Sequence, residues 1–464
     1  RVDLAQSPAF RLFPLAAIRN ALERMGRSPD ATLSLELARE VAVRDAVGAV
    51  VTGEIHAAGR GYILAGQLIA PESGNLIAAY RESARDESEI IPAIDRLSRR
   101  LRERIGESLR SIRASPPLER VTTTSLDALR IYSQAVRASE IEGDHDRAIA
   151  LLDEAVRIDT AFGMAYRKLG VIHWYYARRG QQVAAWRNAF AHRDRMTLSE
   201  RYHAEGVYYA DVEGDVERAI EAYRRLLAIY PDDWVGLNNL GVQYLELRDL
   251  ERAEDLFRRS HALTPHPISS STLAIAQMLG GQLVAAESTA VRALREFPQH
   301  DRAWVMLAHI AYLRGDLTQA MSFAERAHRA TPSVSSQSAS RRFMALVLVI
   351  QGRVREADEH LSGALDQLVR TGDALGYLVN TSWRAGIDVA YYGAADAALA
   401  RLEAALRRFP LDSLELLGRP LGTLALAYVT AGRLDEATPL VEQFSRVIDE
   451  EARGSGDREA LRHL

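Results

Sequence analysis

The sequence predicts a mainly α-helical protein, a right-handed superhelix of about nine helix pairs that is preceded by a small α/β domain. Three observations predict it. An alanine recurs at intervals of 33 to 41 residues, a glycine stands five residues before it in eight of nine units, and a proline follows twelve residues after it in five units. A chain of 464 residues is too long to fold around one hydrophobic core. An array of repeats avoids this limit, because each unit is buried against its neighbours.

Each of the three marks has a physical cause in a helix–turn–helix unit. Glycine can take the left-handed conformation that ends the first helix, the small alanine lets two helices approach closely, and proline ends the second helix. The alanines are Ala148, Ala185, Ala219, Ala253, Ala286, Ala320, Ala357, Ala398 and Ala437. The glycines are Gly143, Gly180, Gly214, Gly281, Gly315, Gly352, Gly393 and Gly432, with Arg248 in the ninth place. The prolines are Pro231, Pro265, Pro298, Pro332 and Pro410.

Large residues complete the pattern in the clearest unit, which carries Leu240, Gly241, Tyr244, Ala253, Phe257 and Pro265. From about Leu126 to its end, the chain resembles tetratricopeptide repeat proteins, a family of helix pairs with a period near 34 residues. The resemblance implies an inner, concave surface that is built by the first helix of each pair and holds peptides or partner helices. Two units depart from the pattern, one with a stretched turn before Ala185 and one that runs from Leu361 to Tyr377 without its proline.

Residues 1–115 are predicted to form the small α/β domain and residues 116–464 the repeat array. Strand-like runs cover Ala49 to Ile55, Tyr62 to Ile69 and Leu76 to Glu82, and a hairpin-type turn joins the first two. An apolar stripe from Ile90 to Ile112 predicts one long helix, and Phe10 to Phe13 is read as a short strand. Ser115-Pro116-Pro117 is interpreted as the linker, and Thr124 and Ser125 as caps of the first repeat helix.

The leading segment carries the strings Ala49-Val-Val-Thr-Gly-Glu-Ile55, Tyr62-Ile-Leu-Ala-Gly-Gln-Leu68 and Pro71-Glu-Ser-Gly74. It resembles the small domain, akin to the TolB amino-terminal domain, that precedes tetratricopeptide arrays in certain bacterial proteins. The junction PLERVTTTSLDAL, residues 117–129, is similar to the same junction in bacterial transmembrane serine/threonine kinase-like proteins. In those proteins this region lies beyond the membrane from the kinase, which implies an extracytoplasmic location here, with the cytoplasm as the alternative. The kinase, the membrane segment and the opening strand and helix of that small domain have no counterpart in this chain. We take this and the initial Arg1 to indicate a fragment or a processed product.

Composition and motifs argue against several functions. The net charge is −4 without a concentrated basic segment, so we expect no nucleic-acid partner, and no apolar run reaches the roughly 18–20 residues of a membrane segment. Cysteine is absent and Lys168 is the only lysine. The sequence contains no phosphate-binding loop, no kinase signature and no H-E-x-x-H, so we expect no enzyme, no cofactor and no metal. The cluster Asp144-His145-Asp146 is more simply a solvated turn than a metal site.

Ten residues are placed on the inner surface by counting back from the alanines. They are Arg130, Arg137, Arg201, Tyr208, Asp211, Asn238, Arg302, His309, Tyr312 and Arg342. Arginine and tyrosine are frequent in protein interfaces, and five arginines against one aspartate favour an acidic or carboxylate-ended partner segment. The alternative is that these arginines pair with glutamates of adjacent helices. The aromatic run His173 to Tyr176 is read as repeat core, with a ligand-facing patch as its alternative.

These observations together predict a non-catalytic scaffold or sensor region of a larger bacterial signalling protein. It is expected to bind a partner peptide or protein on the concave repeat surface. The alternative is a structural module that builds homo-oligomers or a larger assembly.

Overall fold

The computed structural model of the chain describes residues 1–28, 30–176, 178–298, 300–331, 333–414 and 419–452. Pro332, one of the predicted repeat prolines, lies outside these residues. The described residues before the first repeat helix form three strands and five α-helices: β1 (Val50–Ala58), β2 (Gly61–Ile69) and β3 (Leu76–Ala84), with α1 (Leu15–Arg24), α2 (Leu35–Arg44), α3 (Ile90–Ile105), α4 (Leu109–Ala114) and, just beyond residue 115, α5 (Leu118–Val121). The three predicted strands are therefore confirmed, each somewhat longer than expected.

The strands form an antiparallel sheet in the order β1-β2-β3. Leu64 on the central strand pairs with Ile55 on β1 and with Glu82 on β3. Directly paired residues point to the same face, so these three side chains share one face of the sheet. Helix α3 covers that face over β2 and β3, where Leu64 and Leu97 are buried together. On β1, Ile55 is 52% exposed.

Two predictions for the leading segment are wrong in detail. The apolar stripe from Ile90 to Ile112 belongs to two helices, because Gly106 takes a left-handed conformation with a φ of 108° and ends α3. Residues 10–13 form no strand; they lead directly into α1, which begins after Pro14. Of the two predicted caps, Ser125 is confirmed, since its hydroxyl accepts a hydrogen bond from the Ala128 amide at the start of the first repeat helix; Thr124 is the residue before this cap.

The remainder of the described chain is a series of helix pairs, as predicted. The first four pairs are α6 (Leu126–Arg137) with α7 (His145–Ile158), α8 (Gly163–Tyr175) with α9 (Arg179–Ala191), α10 (Leu198–Tyr208) with α11 (Val216–Ile229), and α12 (Trp234–Glu246) with α13 (Leu250–Leu263). The next three are α14 (Pro267–Leu279) with α15 (Leu283–Glu296), α16 (Asp301–Leu313) with α17 (Leu317–Ala330), and α18 (Val334–Ile350) with α19 (Val354–Thr371). The last two are α20 (Ala374–Tyr392) with α21 (Ala395–Arg408), and α22 (Leu421–Thr430) with α23 (Leu434–Ala452).

The marks that predict the pairs occupy the expected places. All nine alanines lie in the second helix of a pair and are buried. Seven of them are 0% exposed, and the other two, Ala185 and Ala437, are 6% and 3% exposed. Seven of the eight glycines have a positive φ in the turn between the two helices, and Arg248 has one as well, at 59°. Gly180 differs, because it lies inside α9. In the unit without a proline, Gly372 ends α19 with a φ of 69°.

The described chain divides into two compact units. The first comprises Arg1–Val212 and Arg218–Asp233, and the second comprises Glu213–Glu217 and the residues from Trp234 onwards. The first unit contains the sheet, the short helices of the leading segment and most of the first three helix pairs. The second contains α12 to α23.

A buried ion pair organises the corner between α3 and α4 in the first unit. The Arg102 guanidinium is fully buried and donates two hydrogen bonds of 2.8 Å to the Glu107 carboxylate and one of 2.7 Å to the Ser115 hydroxyl. The Asp95 carboxylate accepts a hydrogen bond from the Leu118 amide, and Gln6 donates one to the Pro116 carbonyl. Two residues of the predicted linker, Ser115 and Pro116, thus accept hydrogen bonds from side chains of the leading segment, and Leu118, just after the linker, donates one to it.

A second partly buried ion pair joins the first two helix pairs of this unit. The Lys168 ammonium on α8 lies 2.6 Å from the Glu140 carboxylate in the turn that follows α6, and the lysine side chain is 12% exposed. Burial opposes ionisation of Glu140, but the neighbouring Lys168 outweighs it and holds the pKa of that carboxyl below its usual value.

No helix within the described residues is both long enough and apolar enough to cross a membrane.

Candidate functional site

A cavity of about 290 Å³ opens among three consecutive helices of the second unit and is bounded by a fourth. Its lining is mostly apolar and comes from α16, α17, α18 and α20: Asp301, Arg302, Val305, Ala308, His309, Ala324, Ala327, Thr331, Ser336, Ala339, Ser340, Arg342, Phe343, Leu346 and Trp383. We call it the Arg342 cavity. Three of the ten predicted surface residues, Arg302, His309 and Arg342, meet here although 40 residues separate the first from the last.

Arg342 is the chemically distinctive residue of the cavity. Its side chain is half-buried, and burial alone lowers the pKa of its guanidinium below the ordinary value. No acceptor among the residues that the structure describes forms a hydrogen bond or an ion pair with this guanidinium. Arg342 therefore carries a partly desolvated positive charge that has no ion-pair partner among the described residues.

An aromatic cluster forms one side of the cavity. The His309 ring lies 4.6 Å from the Phe343 ring, and Tyr312 meets the same ring edge-on at 5.9 Å. The His309 Nδ1 is 2.8 Å from the Val305 carbonyl oxygen one turn earlier, a hydrogen bond that orients the imidazole. His309 and Tyr312 thus lie next to each other on α16, with Phe343 of α18 across from both.

Asp301 is the only carboxylate in the cavity lining. It begins α16, and its carboxylate accepts a hydrogen bond of 2.8 Å from the Arg302 backbone amide. Among the residues that the structure describes, no ion pair joins Asp301 to the Arg342 guanidinium.

The other three predicted arginines are engaged with carboxylates of the same helix or the adjoining turn. Arg130 lies 3.1 Å from Asp127, Arg137 lies 2.9 Å from Glu142, and Arg201 lies 2.9 Å from Glu205 and 3.2 Å from Asp194. These side chains are 41–58% exposed, so the ion pairs contribute little to stability. The alternative in the sequence analysis was pairing with glutamates of adjacent helices. The observed partners lie instead on the same helix or in the adjoining turn, and they include Asp127 and Asp194.

The three remaining predicted residues make contacts within the array. Tyr208 stacks on Phe190 with ring centroids 3.8 Å apart. Asp211 accepts hydrogen bonds from the Gln182 amide and the Trp186 indole at 2.8 and 3.1 Å. Asn238 is only 5% exposed, and its carbonyl oxygen accepts a 2.8 Å hydrogen bond from the Thr272 hydroxyl.

The predicted aromatic run divides between core and surface. His173 is buried, whereas Trp174, Tyr175 and Tyr176 are 42–45% exposed. His145 stacks on Tyr175 and meets Tyr176 edge-on. The neighbouring Asp144 caps α7 by accepting a hydrogen bond from the Arg147 amide, which is the role of a turn residue.

Sequence reasoning missed the apolar residues that make the Arg342 cavity, above all Phe343 and Trp383. Phe343 follows Arg342 directly, so a search for apolar neighbours of each predicted arginine would have found it. Trp383 lies in the unit after the one that lacks its proline, where the repeat count no longer fixes the facing residues. It is 39% exposed at the edge of the cavity.

Comparison with family models identifies part of the array. Residues 207–266 and 272–335 match the model of the tetratricopeptide repeat, so this stretch of the chain contains tetratricopeptide repeats. The second match includes α16, α17 and the loop that leads into α18. No curated protein sequence matches the chain.

The chain also matches solved structures, at low identity and with low TM-scores. The structure of PilW, a type IV pilus biogenesis factor, is 18% identical and aligns over 44% of this chain and 92% of its own, with a TM-score of 0.35. A tetratricopeptide repeat protein from Parabacteroides merdae is 15% identical over 61% of this chain and 100% of its own, with a TM-score of 0.37. A thermophilic repeat protein from Thermus thermophilus is 21% identical over 40% and 99%, with a TM-score of 0.32.

Proposed function

We propose that this chain is a non-catalytic scaffold that binds a protein partner at the Arg342 cavity and on the surrounding face of α16, α18 and α20. The observation that carries the proposal is the Arg342 guanidinium, which is half-buried beside a mostly apolar cavity and has no ion-pair or hydrogen-bond partner among the described residues. A charge in that state lowers the stability of the isolated chain, and a carboxylate from a partner offsets the cost. The partner segment is therefore acidic.

The position of the cavity in the repeat array supports this function. Three first helices of consecutive pairs contribute to it, and in tetratricopeptide proteins the first helices form the surface that holds a partner. Arg302, His309, Tyr312 and Arg342 are the predicted surface residues that lie at or beside the cavity. The paired Arg130, Arg137 and Arg201 have a smaller part in this proposal, because each already has a carboxylate partner.

We further propose that the scaffold is a sensor region of a larger bacterial signalling protein. The support is the resemblance of residues 117–129 to the junction in transmembrane kinase-like proteins and of the leading segment to the TolB amino-terminal domain. Under this proposal the chain lies on the extracytoplasmic side of a membrane and reports on a partner that it binds there.

The test of partner binding starts with the full chain as bait in a lysate of the source cell and continues with purified components. Once a partner is identified, its affinity is measured by calorimetry for the parent and for Arg342→Ala. We expect binding to weaken at least about tenfold, or 1.4 kcal/mol, and to weaken further as salt is added, because part of the contact is a partly exposed ion pair.

Arg329→Ala is the matched control. Arg329 lies on α17, is 67% exposed and pairs at 3.8 Å with Glu325 of its own helix, so the substitution removes the same charge away from the cavity. Its affinity should equal that of the parent. Equal affinities for the parent and Arg342→Ala contradict the proposed site, and a concentration-independent oligomer in light scattering without any partner favours the assembly alternative.

A further inference from the structure

The Arg342 cavity has two chemically different parts. Its walls are apolar, with Val305 and Ala308 on α16, Ala327 on α17 and Leu346 on α18. The positive charge of Arg342 belongs to the same lining. A ligand that satisfies both parts must present an apolar group and an anionic group close together.

The size of the cavity restricts the apolar group. Pockets that enclose a whole small molecule or cofactor measure about 300–1,000 Å³. At about 290 Å³ this cavity lies at the lower end of that range, which suits one large side chain better than a cofactor. Phe343 and Trp383 supply aromatic surfaces beside it, and aromatic rings prefer tilted or offset contact with another ring.

The charge of the lining determines the anionic group. Arg302 and Arg342 are the arginines among the described lining residues. Asp301, the only carboxylate among them, forms no ion pair with Arg342. The planar guanidinium binds a carboxylate in bidentate fashion, and such charge-assisted hydrogen bonds are stronger than neutral ones.

We propose, building on the proposed function above, that the Arg342 cavity recognises a peptide segment in which a large apolar side chain is adjacent to an aspartate or glutamate. The apolar side chain enters the cavity between Phe343 and Trp383, and the neighbouring carboxylate pairs with Arg342. Ala339 belongs to the lining and is exposed, so only a small side chain stands where this part of the cavity meets solvent.

The probes are three blocked synthetic peptides that differ at one position from a common parent. The first is acetyl-Gly-Ser-Phe-Asp-Ser-Gly-amide; the second has alanine in place of phenylalanine, and the third has asparagine in place of aspartate. Affinities for the full chain are measured by calorimetry at low salt. We expect the first peptide to bind at least tenfold more tightly than either of the others, because each substitution removes one of the two contacts.

Two variants of the chain locate the contacts. Ala339→Leu narrows the cavity from an exposed position and should reduce binding of the phenylalanine peptide to the level of the alanine peptide, which itself should not change. Arg342→Ala should remove the difference between the aspartate and asparagine peptides. Ala404→Leu, at an exposed alanine of α21, adds the same bulk elsewhere and should leave all affinities unchanged.

Several results overturn this inference, and one of them leaves the proposed function intact. If the phenylalanine and alanine peptides bind equally and Arg342→Ala weakens both, the acidic contact stands and the apolar anchor is wrong. If 3-phenylpropionate binds but no peptide does, the occupant is a small acid and not a peptide. If no peptide binds and a captured partner is indifferent to Arg342→Ala, both the inference and the proposed function fail.

Discussion

The backbone of Arg248 is left-handed, a conformation that costs an L-amino acid about 1–2 kcal/mol more than it costs glycine. The residue stands in the turn of a helix pair at the position that seven other pairs fill with a positive-φ glycine. Its side chain is exposed and makes no ion pair or hydrogen bond that the described structure shows. The turn is therefore strained at this residue without a visible compensating contact.

We expect Arg248→Gly to raise the free energy of unfolding by about 0.5–1 kcal/mol. The relief of the left-handed strain exceeds the extra chain entropy that glycine gives the unfolded state. Urea unfolding followed by circular dichroism measures the change. The mirror substitution Gly281→Arg is the control, because Gly281 has a φ of 74° and no atom within 4 Å of the place where a Cβ would stand. A loss of stability in Arg248→Gly, or no loss in Gly281→Arg, contradicts the argument.

At the scale of the secondary-structure elements, the corner between α3 and α4 depends on the buried pair of Arg102 and Glu107. Burial by itself would raise the pKa of Glu107, but hydrogen bonds from Arg102, Ser111 and Ser7 outweigh it and hold the pKa at about 2. The carboxyl has an ordinary pKa of 4.5. A folded-state pKa below the unfolded one means that the ionised form stabilises the fold.

The stabilisation by Glu107 should be fully present above about pH 4.5 and should disappear as the pH falls towards 2. The shift corresponds to about 3 kcal/mol at neutral pH. Glu107→Gln should therefore be less stable than the parent by at least about that amount at pH 7, because Arg102 then stays buried without its counter-ion. The two proteins should become equally stable near pH 2.

Chemical unfolding of the parent and of Glu107→Gln at a series of pH values measures the difference in their free energies of unfolding. Glu103→Gln is the control, since Glu103 is an exposed carboxylate on α3, four residues before Glu107. A stability difference between Glu107→Gln and the parent that does not shrink between pH 5 and pH 2 would show that the ion pair does not stabilise this corner.

At the scale of the whole molecule, each repeat is stabilised mainly by its neighbours, so a repeat array can lose a terminal segment and keep its fold. We expect the chain from Pro117 to Leu464 to be highly helical and to unfold cooperatively. The shortened chain should unfold at a lower temperature than the full chain, because it loses the packing of Leu126 against the core under the sheet and the hydrogen bond from Leu118 to Asp95.

Thermal unfolding of the shortened chain and of the full chain, followed by circular dichroism, compares their cooperativity and their melting temperatures. A broad, non-cooperative loss of helix would refute the division of the chain at residue 115. A sharp transition at the temperature of the full chain would show that the contacts of Leu126 and Leu118 contribute nothing.

The helix pairs follow from the sequence because their signals are local. Gly315 and Ala320, for example, need only the turn and the helix beside them to be recognised, and both occupy their expected places. The Arg342 cavity could not be predicted in this way, since it joins Trp383 of α20 to Val305 of α16 across three helix pairs. The inner-surface count assigned residues to first helices but could not distinguish Arg201, which Glu205 neutralises one turn later, from Arg342.

The pair of Lys168 and Glu140 has a practical consequence for labelling this protein. Lys168 is the only lysine of the sequence, and its amine is largely buried and held by a carboxylate, so reagents that attack lysine amines will report almost nothing about the surface. The absence of cysteine, in contrast, makes labelling through thiols easy to direct to one site. A single engineered thiol, for instance Ala404→Cys at an exposed site of α21, would be the sole target of maleimide dyes or spin labels, and distances between such probes could be measured without removing any native residue first.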